Sequence, residues 1–103
     1  MFRRKRFADL ISRQLDLFER EHAGVIAEAE TRLDAYNRAD RDEAEELHGD
    51  YVDVVETGTE ILAEIRWSFW KTLDDDTAEA YEAEFNRAVA KRFPRFGFEI
   101  ENR

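Results

Sequence analysis

Cysteine is absent from the 103-residue chain, which excludes disulfides, thiolate nucleophiles and thiolate metal sites. Proline occurs once, at Pro94, and glycine four times, so little in the composition opposes long helices. No apolar run approaches the ~18 residues that a membrane-spanning helix needs. Serine is confined to Ser12 and Ser68, and neither has a histidine placed to suggest a catalytic triad. A glycine-rich phosphate loop is also missing. Lysine is scarce: Lys5, Lys71 and Lys91 stand against 13 arginines, a bias of high-GC coding, a thermophile or a mild halophile that says more about the organism than about function.

What is present reads as a folded acidic protein. Hydrophobic residues make up 43% of the chain and aromatics 13%, enough for a core despite 40% charged residues. The net charge of −9 argues against nucleic acid as a partner, because most of the surface would repel phosphate. Charge is also uneven. Residues 1–20 carry six basic and three acidic side chains, net +3, leaving −12 on residues 21–103. The start, MFRRKRFADL, is basic, but Asp9, Ser12 and Arg13 interrupt the apolar stretch of a secretory leader, so a cytoplasmic protein is expected.

The helical period dominates, and an all-α fold of one domain over residues 1–103 is predicted. Phe7, Ile11, Leu15, Phe18, Val25, Ala29, Leu33 and Tyr36 form one stripe, predicting a helix over 4–36 that tolerates Gly24 and ends near Asn37 in a left-handed cap. Asp40, with Glu43 three positions on, opens a second helix over 41–73. Its stripe runs Leu47, Tyr51, Val54/Val55, Gly58, Ile61/Leu62, Ile65, Phe69 and Leu73, and Gly58 on that face permits close approach of a neighbour. Asp74-Asp75-Asp76 offers a turn and an N-cap, with Glu79 completing an Asp-x-x-Glu box. A third helix over 77–93 follows and ends at Pro94. Phe96, Phe98 and Ile100 alternate, which predicts a short extended tail over 94–103 or one docked on the bundle.

The first two helices, ~30 residues each, would form an antiparallel hairpin ~45 Å long. A third helix of half that length covers only part of the apolar groove. The remainder requires a second copy or another protein, so a homodimer completing a helical bundle is expected. Phe18, Val25, Val55 and Leu62 are the expected contacts, and the Trp67/Trp70 cluster is either core or interface. The functional expectation is a non-enzymatic, self-associating interaction module.

The alternative is a metal-binding bundle. Both histidines lie in Glu-x-x-His, as Glu19/His22 and Glu45/His48, which puts carboxylate and imidazole on one helix face. That is the spacing of half the ligand set in ferritin-like carboxylate bundles, and the cofactor would be iron, manganese or zinc. In the hairpin the two units stand about 10 Å apart along the axis, and the two further inward carboxylates of such a site are missing. Hydrogen-bonded boundary histidines account for the pattern more simply. The acidic pairs Glu43/Glu46 and Asp53/Glu56 follow each other too closely for the Mg²⁺ motif of helical nucleotide pyrophosphohydrolases and read as a solvated face. Arg3, Arg4, Lys5 and Arg6 could dock on anionic lipid or an acidic partner, but the hairpin places them beside Asp74–Asp76, and that internal pairing is the preferred reading over membrane contact.

Overall fold

A computed structural model of the chain describes residues 6–103. The described residues form five helices and no strand: α1 (Ala8–Glu21), α2 (Ala23–Asn37), α3 (Arg41–Trp70), α4 (Asp75–Arg92) and α5 (Pro94–Glu101). None is long and apolar enough to cross a membrane. The molecule measures 52 × 26 × 26 Å with a radius of gyration of 15.6 Å, well above the ~13 Å of a compact domain of this length. α3, with 30 residues and so ~45 Å long, accounts for most of the long dimension.

Helix starts follow local chemistry. The Asp40 carboxylate accepts from the Glu43 N–H at 3.1 Å and opens α3. Asp74, and not the last aspartate of the run, caps α4: its carboxylate accepts from the Thr77 N–H at 2.9 Å, so the helix begins at Asp75. That bond, with a second from the Thr77 side chain and a smaller effect of the Arg6 charge, holds the Asp74 carboxyl below its ordinary value of 3.8. Of the basic cluster only Arg6 is among the described residues; Arg3, Arg4 and Lys5 lie outside them. α2 ends at Asn37 as expected, but no non-glycine residue among the described ones has positive φ, and Arg38 closes the helix at φ −102° without a left-handed cap.

Two expectations need correction. The single helix over 4–36 is interrupted at His22, whose backbone (φ −128°, ψ 34°) leaves the helical region. The His22 N–H still closes α1 on the Phe18 carbonyl, and its own carbonyl accepts from Val25 and Ile26 to open α2. Gly24, a poor helix former with nothing near its absent Cβ, lowers the cost of this bend. The bend lets α1 lean on α4 while α2 stays against α3. Secondly, the tail is a helix. Pro94 ends α4 and then occupies the first turn of α5, where its missing N–H costs nothing. Val89, Phe93, Phe96 and Ile100 step by four, three and four in the sequence and are all buried, Val89 on α4, Phe93 at the junction and the last two on the inner face of α5.

α5 folds back between α3 and α4 and supplies the cover that the third helix could not. Phe96 sits over Gly58, where a Cβ would stand 2.8 Å from its ring carbon Cζ. Gly97 meets Ala90 so closely that a Cβ there would lie 2.8 Å from the Ala90 Cα. Phe18 packs edge-on to Phe93 and Phe96, at centroid distances of 5.3 and 6.0 Å. At the other end Phe7, Phe69 and Tyr81 form an edge-to-face trio with centroids 4.9–6.1 Å apart.

Candidate functional site

The polar groups taken inside this core are almost all committed to holding helices together. Arg66 of α3 is buried and donates from one nitrogen to Asn86 Oδ1 of α4 (2.7 Å) and to the Ile100 carbonyl of α5 (3.1 Å). The guanidinium thus closes the carbonyl end of α5 and ties three helices. Glu84 is buried and accepts from the Phe7 N–H at 3.3 Å, serving the start of α1, where Phe7 brings no side-chain cap of its own. The Tyr81 hydroxyl donates to Gln14 Oε1 at 2.9 Å, and burial pushes its pKa up to about 12. Thr59 Oγ1 is the exception among the described residues, buried with no partner there.

The two histidine units are not brought together. Glu19 accepts from Arg92 at 2.6 Å, beside Asp16 at 2.7 Å, and these bonds raise the Arg92 pKa. His22 lies half-buried against Phe18 at the α1–α2 break, with ring centroids 5.7 Å apart. Glu45 is exposed on α3, and the exposed His48 rests on Tyr36 at 5.1 Å. Among the described residues no three His, Asp or Glu side chains gather in a way that could hold a metal ion. Glu30, which the helical projection turns outward, is engaged by Arg95 of α5 through two bonds, 2.9 and 3.3 Å.

The expected contact residues divide. Phe18 and Leu62 have no exposure, and Val55 has 6%, all three inside the core of a single chain. Val25 is half-buried against that core. Trp67 is 52% exposed and stacks on the half-buried Trp70, with centroids 5.1 Å apart and planes at 26°.

The residue that sequence reasoning missed is Phe98, 75% exposed on α5. The signal was available in retrospect: Phe98 is out of phase with the Val89–Phe93–Phe96–Ile100 stripe, so a helical reading of the tail turns it outward. It stands at a shallow groove of ≈ 200 Å³ between α3 and α5, lined also by Tyr51, Val52, Val55, Glu56, Arg95 and Glu99. No protein-family model matches the chain, and no curated protein or solved structure is significantly similar to it.

Proposed function

We propose that the chain is a non-enzymatic interaction module that pairs with a second copy through the α3–α5 face around Phe98. The observation that carries this reading is a Phe ring left 75% exposed beside a groove partly walled by Val52 and Tyr51. A knob adjoining a hollow on one surface is what a two-fold contact uses, because each copy offers both halves. Burying the ring contributes ~1.5–3 kcal/mol per copy. The non-enzymatic half rests on the buried ionisable groups: Arg66, Glu84 and Tyr81 are each bonded to structural partners.

Two copies of net charge −9 repel, and Arg95 at the groove is already paired with Glu30 and only partly offsets Glu56 and Glu99, so added salt should strengthen the pairing. Light scattering is expected to give twice 12.2 kDa for the parent and 12.2 kDa for Phe98→Asp, with helicity unchanged because the site is exposed. A parent that remains at 12.2 kDa from micromolar concentration upward, with and without salt, would remove the reading.

A further inference from the structure

A second exposed aromatic feature lies on a different face. Trp70 ends α3 and forms one wall of a concave surface of ≈ 560 Å³ against α4 and the end of α5. Asp75, Glu79 and Glu82 line it along one stripe of α4, and Glu101 joins from α5. Against these four carboxylates the groove holds one guanidinium, Arg87. None of the four takes part in an ion pair among the described residues, whereas Asp16, Glu19 and Glu30 are all held by arginines. Beyond Trp70, Trp67 stacks on it and is 52% exposed. The recess on that side contains Arg66 and Arg103, the first donating to the Ile100 carbonyl and the second 3.8 Å from Glu60.

We propose that this groove binds a short arginine-bearing peptide of a partner protein, with its cations on the α4 carboxylates and a guanidinium against the Trp67/Trp70 pair. Charge complementarity selects the occupant. A planar cation satisfies both features, because it pairs with carboxylates and stacks on indole faces. The carboxylates are strung along the helix: Asp75 to Glu82 spans seven residues, about 10 Å at 1.5 Å per residue. They do not converge as the ligands of one metal ion do. A chain with a cation at alternate positions repeats every ~6.8 Å when extended, so two neighbouring cations cover about two thirds of that stripe and long arginine side chains reach the remainder. The acidic remainder of the molecule draws such a peptide in at long range.

Trp67 and Trp70 are the only tryptophans, so fluorescence excited selectively in tryptophan, beyond the absorption of Tyr36, Tyr51 and Tyr81, reports on this pair. The probe is a blocked eight-residue peptide of alternating arginine and alanine, titrated at low salt, with a glutamate-for-arginine peptide as control. A saturable fluorescence change with the arginine peptide alone is expected. It should weaken at least tenfold in Glu79→Lys/Glu82→Lys and less than twofold in Glu45→Lys/Glu46→Lys, a double reversal outside the groove. Should the first variant lose its helical circular dichroism, Glu79→Gln is expected to weaken binding about threefold by itself. Phe98→Asp is expected to bind as the parent does, which separates this site from the self-association surface. No saturable change, or equal weakening in the two double reversals, would overturn the proposal, the latter showing only general attraction to an acidic molecule. A response as strong to magnesium alone would overturn it too.

Discussion

At the scale of single residues, the two α3 glycines occupy opposite environments on one helix. Gly49 has nothing within 4 Å of where its Cβ would stand, whereas Gly58 has the buried Phe96 ring pressed against it. Gly49→Ala is therefore expected to raise stability by ~0.5–1 kcal/mol through backbone entropy. Gly58→Ala should lower it by ~1–3 kcal/mol, because Phe96 has no space into which to move. Chemical denaturation of both variants checks the contrast, and equal shifts in one direction would contradict it. Tyr81 supplies a pH dependence. Its pKa is about 12 in the fold against 10.0 in an ordinary setting, so the neutral phenol is favoured when folded. That contribution is complete below pH 10 and is lost as the pH rises through 12. The full rise corresponds to about 2–3 kcal/mol. Tyr81→Phe should begin less stable, having lost the Gln14 bond, yet show a flatter decline between pH 10 and 12. Asp74 acts in the opposite sense. Its lowered pKa means that its contribution is present above pH 3.8 and falls away as the pH drops below it.

At the scale of elements, the short α5 decides how the others pack. It puts Phe96 on Gly58 and against Phe18, Ile100 beneath Arg66, and Arg95 on Glu30 of α2. The ion pairs are partly exposed and contribute ~0.2–1 kcal/mol each, so the aromatic seat dominates. Phe96→Ala is expected to cost ~3–5 kcal/mol, a large share of the ~5–15 kcal/mol that holds a domain together. Urea titration followed by circular dichroism measures this directly. A loss below about 1 kcal/mol would mean that α5 is not seated on α3. The start of α3 was legible because Asp40 acts on backbone within three residues of itself, whereas three consecutive aspartates offered α4 three caps and the structure uses Asp74, two residues before the cap that the Glu79 spacing indicates. The α5 helix was not legible, because eight residues carry both a two-residue alternation and a helical stripe, and only the contacts with α3 and α4 choose between them.

At the scale of the whole molecule, the long hairpin groove predicted from helix lengths is filled by the chain's own C-terminal helix. Phe18, Val55 and Leu62 are covered within one copy. Among the described residues, the large apolar side chains left exposed are Leu17, Tyr36, Val52, Trp67 and Phe98, of which Phe98 and Trp67 are the most open. The metal-bundle alternative is checked by elemental analysis of protein purified without an affinity tag. Iron, manganese and zinc are expected well below one equivalent per chain, and His22→Gln and His48→Gln are expected to fold and associate like the parent. A stoichiometric metal that either substitution removes would reverse this.

The sequence by itself determined what depends on neighbours a few residues apart. The all-helical class, the ends of helices at Asn37 and Phe93, the capping of α3 by Asp40 and the apolar face around Gly58 all follow from 3.6-residue spacing and short-range hydrogen bonds. Tertiary structure alone decided the bend at His22, the helical form of residues 94–101 and which aromatics stay outside. It also set the partners of the buried charges: Arg66 meets Ile100 across 34 residues and Glu84 meets Phe7 across 77. No local pattern encodes such pairings. They arise because each helix must bury one face, and the cover available depends on where every other helix comes to rest.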